Sequence, residues 1–247
     1  MLRTLLASLT VLALAAAEPA NPATTPLARS EPEAVERHQE ILKDPARTTA
    51  QVLFLGDSIT QQWTDGDAGG PVWTSVWAPL KAANLGVAGD RTEHVLWRID
   101  HGCLDGAAKA RAVVLLIGTN NAGMVVESKG AYRCSAAQTA AGIRAVLDRV
   151  LAKCPQATVL LMGIFPRDEH EAPANQQNLA TNALIKGFAD GKRVHWLDIG
   201  KKFVNPQNDD AWLKWMPDCL HLNTDAYQVW ADACAPLVKG WLKAPAR

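Results

Sequence analysis

The residues of this 247-residue sequence that could do chemistry together are a serine, an Asp-x-x-His pair far downstream of it, and two glycines and an asparagine standing where apolar runs end. Gly56-Asp57-Ser58 follows Val52-Leu53-Phe54-Leu55, Gly86 follows the run 82–85, Gly118-Thr119-Asn120-Asn121 follows the run 112–117, and Asp218-Cys219-Leu220-His221 lies near the C-terminal end. A serine hydroxyl attacks a carbonyl only when a base removes its proton and preorganised donors hold the oxyanion that forms. The spacing of Asp218 and His221 can set the carboxylate against one imidazole nitrogen and leave the other for Ser58. Each piece alone has an ordinary use. Gly-Asp-Ser is a turn signal, Gly86 permits a tight turn, Asn120 can cap a helix, and Asp218 with His221 can be an ion pair at a helix entry. Their joint occurrence is what points to nucleophilic acyl transfer.

Five short apolar runs, at 52–55, 82–85, 112–117, 158–162 and 194–197, alternate with longer helical patterns. That alternation predicts a parallel sheet with helices on both faces, a three-layer α/β/α domain with five strands. Ser135 and Gln138 form a capping box ahead of Ala140, Ile143, Leu147 and Val150, which share one helical face, and Pro155 lies just beyond the expected end. Asn223 or Thr224 can cap a last helix in which Tyr227, Trp230, Cys234, Leu237 and Trp241 recur at helical spacing. Ligands of such open sheets bind beyond the carboxyl ends of the strands, so the loops carrying Ser58, Gly86 and Asn120 should converge on one crevice.

Lysine plus arginine balances aspartate plus glutamate at 25 each, which supplies no basic field for nucleic acid. Residues 1–17, with Arg3, a short apolar run and Ala15-Ala16-Ala17, read as a signal peptide, with an uncleaved anchor as the rival reading. The run falls short of the about 20 residues that span a bilayer, so no stable membrane insertion is expected. Residues 18–30, with Pro19, Pro22 and Pro26, have a linker composition, which places the folded domain at 31–247 and the protein in a periplasmic or extracellular setting. Five cysteines, Cys103, Cys134, Cys154, Cys219 and Cys234, leave at least one thiol free and read mainly as buried small hydrophobes with one or two incidental bridges. None has zinc spacing, and His38, His94, His101, His170 and His195 have no comparable constellation, so no metal is expected. There is no dinucleotide fingerprint and no Gly-x-Ser-x-Gly elbow. Of nine tryptophans, Trp63, Trp73, Trp212 and Trp215 stand as candidates for substrate contact, as do Arg91 and Arg167 near strand ends.

Phe54-Leu55-Gly56-Asp57-Ser58-Ile59-Thr60, Asn84-Leu85-Gly86, Gly118-Thr119-Asn120 and Asp218-Cys219-Leu220-His221 resemble, in order, the four blocks of the GDSL/SGNH hydrolases. The stretch from Gly89 to Arg98, with Gly163-Ile164-Phe165-Pro166-Arg167 and Leu220-His221-Leu222, is similar to the branch of the platelet-activating-factor acetylhydrolase catalytic subunits. The likeness runs from about Gln51 to Val238. It implies a flavodoxin-like sheet, no cofactor, Ser58 as nucleophile, His221 as base and then acid, and Asp218 as its orienting partner. It also implies an oxyanion hole built from the backbone amides of Ser58 and Gly86 and the side chain of Asn120. Many family members carry aspartate where this chain has Asn121, a departure the acetylhydrolase branch shares. Export would bring such an enzyme to O-acetyl esters on carbohydrates. The alternatives are a lysophospholipase or thioesterase acting on longer acyl chains and a non-catalytic carbohydrate-binding protein on the same fold. Oligomeric state is not legible in the sequence.

Overall fold

The computed structural model describes residues 20–123, 133–168, 172–204 and 213–245. The expected signal peptide, His170 and Trp212 lie outside them. Strands β1 (Val52–Gly56), β2 (Ala82–Gly86), β3 (Ala112–Leu116), β4 (Thr158–Met162) and β5 (Val194–Leu197) form a parallel sheet in the order β2-β1-β3-β4-β5. This is the flavodoxin-like strand order, in which the chain reverses direction across the sheet between β1 and β3. The helices that bear on the site are α1 (Pro32–Lys43), α2 (Ser58–Gln61), α3 (Thr92–Asp100), α4 (Ala136–Lys153), α5 (Pro173–Ile185) and α6 (Thr224–Lys243).

Strands covered on both faces must be apolar throughout, and β1, β3 and β4 are buried at every position. Side chains alternate between two cores. Leu53 and Leu55 join Val113, Leu115 and residues of α1, α3, α4 and α5, while Val52 and Phe54 join Val114, Leu116 and residues of α6. The helix starts follow the sequence signals. Ser135 Oγ accepts from the Gln138 N–H at 3.2 Å and Gln138 Oε1 from the Ser135 N–H at 2.8 Å, and Asn223, rather than Thr224, caps α6 by accepting from the Ala226 N–H at 3.0 Å.

Three expectations change. Trp63 does not face a substrate: it is fully buried in an aromatic layer around Phe54, 5.7 Å from that ring and 4.8 Å from Trp230, because the turn after α2 folds it under the sheet. Trp73 belongs to the same layer, 5.3 Å from Phe54. Residues 20–30 are not a free linker. Ala23 is buried, its carbonyl accepts from Thr92 Oγ1 at 2.8 Å, Asn21 Nδ2 donates to the Gln138 carbonyl at 3.2 Å, and the Leu27 N–H donates to the Glu93 carbonyl at 3.1 Å. Prolines, lacking N–H groups and fixed in φ, suit an extended arm that packs through side chains and a few carbonyls. All five cysteines are thiols, four of them buried, so the expected incidental bridges are not formed.

Candidate active site

Asp57 caps α2, its Oδ1 accepting from the Ile59 N–H at 3.0 Å, and this turn lifts Ser58 to the carboxyl edge of β1 as the first residue of the helix. There the Ser58 N–H has no helical acceptor to reach, the normal state of a first-turn amide. Beneath it Gly86 lets the helix lie directly on β2. A Cβ at Gly86 would stand 2.2 Å from the Gln61 nitrogen. Asn84 fastens the same junction, donating to the Gln61 carbonyl at 2.8 Å and to Thr64 Oγ1 at 3.2 Å.

From the other end of the chain, His221 Nε2 lies 2.9 Å from Ser58 Oγ and His221 Nδ1 lies 2.6 Å from Asp218 Oδ2. A carboxylate at Nδ1 fixes the proton there and leaves Nε2 to accept the serine hydroxyl. Asp218 Oδ1 accepts from the N–H groups of Leu220 and His221 at 3.0 and 2.7 Å, so the loop wraps its own carboxylate. Burial alone would raise that carboxyl, but the hydrogen bonds from the His221 side chain and these amides outweigh it and hold it below its ordinary range. The wrap requires Cys219 to adopt a left-handed φ of 63°. The Asp168 N–H donates to the Cys219 carbonyl at 2.8 Å and ties the bend to the loop after β4.

The oxyanion side is only partly as expected. Asn120 Nδ2 donates to the Asp90 carbonyl at 2.9 Å, which fixes the amide and leaves its second hydrogen for a ligand. Gly86 does not offer a donor: its N–H is bonded to Asn84 Oδ1 at 2.9 Å. The same loop holds an unengaged N–H three residues later. Gly89, at φ 76° and next to the carbonyl that anchors Asn120, has an N–H without an acceptor among the described residues. Asn121 is fully buried, accepting from the Thr92 N–H at 3.0 Å and donating to Glu93 Oε2 at 3.0 Å, a donation that aspartate could not make.

Neither candidate arginine is a free substrate contact. Arg91 is engaged by Glu93 and, at 3.2 Å, by His94 Nε2. Arg167 donates to the Thr119 carbonyl at 3.1 Å and to Asp168 Oδ2 at 2.8 Å, so it ties the loop that carries Asn120 to its own loop after β4, which the Asp168 N–H joins to Cys219. Trp215 lies 6.2 Å from Phe203 and 4.7 Å from Lys214 Nζ, and its backbone carbonyl accepts from the Asn223 N–H. The loop that follows Trp63 borders the site: Asp65, Gly66, Asp67 and Ala68 line an open cavity shared with Asp218 and His221. Among the described residues no group of three or more His, Cys, Asp or Glu is arranged to hold a metal ion.

Sequence reasoning missed Gly89, Asp90, Arg98 and Arg29. The first three fall in the stretch read only as a marker of one family branch, and Arg29 sat in a supposed linker. Arg98, fully buried, donates to Asp90 Oδ2 at 2.7 Å, to the Leu85 carbonyl at 3.0 Å and to the Gly56 carbonyl at 3.4 Å, so it binds the ends of β1 and β2 to one carboxylate.

Asp57 has a second property beyond capping. Its Oδ2 is buried without a partner, and burial pushes its carboxyl up to about 7, with the charge of Asp90 adding to the rise and the Ile59 N–H opposing it. The unfolded chain loses this proton near 3.8 and the folded protein near 7, so the contribution to stability is full below pH 3.8 and is lost as pH rises through 7. Asp57→Asn keeps an acceptor for Ile59 and cannot ionise. Urea unfolding from pH 4 to 8 should show the variant gaining on the parent by up to about 4 kcal/mol across that window. Parallel curves would refute the raised carboxyl.

A serine, a histidine and a carboxylate in one hydrogen-bonded line, at the switch point of a flavodoxin-like sheet, define a class: α/β hydrolytic folds with a serine relay built on strand-end loops. The chain belongs to the GDSL-like lipase/acylhydrolase family, whose model matches residues 54–229. Within it the chain is 32% identical to human platelet-activating factor acetylhydrolase IB subunit alpha1 over 191 residues, 77% of this chain and 76% of that one. The chicken (Gallus gallus) alpha2 subunit is 32% identical over 222 residues, covering 88% and 89%. Solved structures with the same fold include a GDSL-like lipase from Bacteroides thetaiotaomicron, with a TM-score of 0.62 at 18% identity over 84% of this chain and 95% of that one. An acetylxylan esterase from Geobacillus stearothermophilus has a TM-score of 0.57 at 17% identity, covering 80% and 98%. This protein is a carboxylic ester hydrolase.

Proposed function

We propose that this enzyme is exported and hydrolyses small acyl esters, above all O-acetyl groups on carbohydrate, through an acyl-enzyme on Ser58. The hydrogen-bonded line from Ser58 through His221 to Asp218 carries the proposal. Ser58 Oγ attacks the ester carbonyl carbon while His221 Nε2 takes its proton. The oxyanion is met by the Ser58 N–H, the Asn120 side chain and the Gly89 N–H, Gly89 replacing Gly86 as the third donor. As the tetrahedral adduct collapses, His221 returns the proton to the departing alcohol and leaves acyl-Ser58. Water then attacks with His221 as base, and collapse releases the acid and restores the serine. Asp218 holds the imidazole in its tautomer and offsets the charge it acquires.

The acceptor side supports a hydroxyl-rich alcohol. The cavity beside His221, of about 570 Å³, is lined by Gln62, Asp65, Asp67 and Asn223, groups suited to sugar hydroxyls. Its carboxylates disfavour an anionic acceptor. An apolar cavity of about 330 Å³ at the ends of β4 and β5, lined by Ile164, Pro166, Leu179 and Val204, contains none of the three relay residues, which gives a long acyl chain less support. Hydrolysis of p-nitrophenyl acetate, butyrate and octanoate should fall with chain length, by at least roughly tenfold from acetate to octanoate even if only one or two methylenes are misfitted, each costing on the order of 1 kcal/mol or more. A preference for octanoate would install the lysophospholipase or thioesterase alternative. Acetate release from acetylated xylan, pectin, sialic acid and sugar acetates then identifies the acceptor.

A further inference from the structure

We propose that Arg29, on the arm that precedes α1, is a positioning residue for the oxyanion side of this site, acting through the peptide that joins Ala88 to Gly89. The inference rests on the serine acyl-enzyme reading above and extends it to a part of the chain outside the strand-end loops.

The Ala88–Gly89 peptide is held from both sides. The Ala88 N–H donates to Gln61 Oε1 at 2.8 Å, which ties this loop to the helix that carries Ser58. The Ala88 carbonyl accepts from Arg29 Nη1 at 3.1 Å. That peptide is trans, so its C=O and N–H point in opposite directions. A guanidinium gripping the carbonyl on one side therefore fixes the Gly89 N–H toward the other, and this N–H has no acceptor among the described residues. Hydrogen bonding at the carbonyl also polarises the peptide and strengthens its N–H as a donor. A Cβ at position 89 would stand 3.1 Å from both Arg29 Nη1 and Nη2, which shows how closely the guanidinium lies against the glycine.

Arg29 is itself held in place. Its Nη1 reaches Asp90 Oδ1 at 3.3 Å, and its Nε donates to Glu31 Oε2 at 2.9 Å. Asp90 takes Arg98 on its other oxygen and offers its main-chain carbonyl to Asn120 Nδ2. Asp90, the residue after Gly89, thus links Arg29 to the Asn120 amide. The arm cannot swing away cheaply, because Ala23 is buried and the Leu27 N–H is bonded to Glu93.

The test compares Arg29→Met and Arg29→Lys with the parent and with Ser58→Ala, using p-nitrophenyl acetate and a small alkyl boronic acid. The boronate adds to the serine and carries a tetrahedral oxyanion, so its inhibition constant reports the donors rather than substrate docking. Arg29→Met should lower kcat roughly 10- to 100-fold, part of what loss of a whole oxyanion donor costs, with KM within about twofold. Boronate affinity should weaken in parallel, and Arg29→Lys should recover part of both. Near-UV circular dichroism reports whether the fold is intact; if Arg29→Met does not fold, Arg29→Lys carries the same comparison on a smaller scale. An unchanged kcat in a folded variant, or a lost kcat with unchanged boronate affinity, overturns the role of Arg29 while Ser58→Ala remains inactive. Full activity in Ser58→Ala instead removes the serine reading, and the role of Arg29 with it.

Discussion

Ser58→Ala should lower kcat for p-nitrophenyl acetate by at least about 10⁴-fold while leaving thermal unfolding nearly unchanged. The loss is large because, on the proposed mechanism, Ser58 supplies the electron pair that forms the acyl-enzyme, and the nearest hydroxyl along the chain, that of Thr60, is buried two residues away on the same short helix. The fold should survive because the residue is already the first of α2, where the cap comes from Asp57 and not from the serine hydroxyl. His221→Ala should cost a similar factor, and the double variant little more than either single one, since the two groups act as one unit. Steady-state kinetics on the three proteins, with active-site titration by a fluorophosphonate, reads all of this. Independent, additive losses would mean that the 2.9 Å contact between Nε2 and Oγ is not the catalytic one.

Asn120→Ala is the second large effect, a fall of about 10²–10³-fold in kcat with KM little changed, because an oxyanion donor acts on charge that exists only in the transition state. Asn120 sits on the loop after β3, and its amide is already oriented before any ligand arrives by the 2.9 Å bond to the Asp90 carbonyl. Preorganisation of this kind costs nothing at the moment of reaction, which is why a neutral amide can matter this much. Asn120→Asp should be at least as damaging, since it places a negative charge where the oxyanion forms. Equal kcat in Asn120→Ala would return Asn120 to a purely structural place beside Asp90.

The strands, the strand-end loops and the Ser58–His221–Asp218 line were legible because they are written in local signals. Apolar runs mark the buried parallel strands, and the Asp-x-x-His spacing is short enough to imply its own geometry. What could not be read depends on which of several equivalent groups the tertiary structure leaves free. Gly86 and Gly89 look alike in a sequence, but Asn84 takes the N–H of one and leaves that of the other. Tryptophans near the serine in sequence suggest a cleft wall, whereas the turn after α2 carries Trp63 beneath the sheet. Prolines at 22 and 26 suggest a linker, yet proline composition does not separate a loose tether from a packed extended arm. Arg29 gave no local signal for this role, because the partners that tie it to the site, Ala88 and Asp90, lie 59 and 61 residues away.

Ser58 and His221 are separated by 163 residues of chain, with the serine on the first strand-end loop and the histidine just ahead of the last helix. On the proposed mechanism the nucleophile therefore emerges long before its base during synthesis, and until His221 reaches it Ser58 is an alcohol no more reactive than any other. Hydrolysis by this route begins only when the two ends of the domain have met. On that mechanism the appearance of esterase activity in a refolding experiment marks a contact spanning 163 residues of chain, and forms of the chain that lack it leave acylated substrates intact.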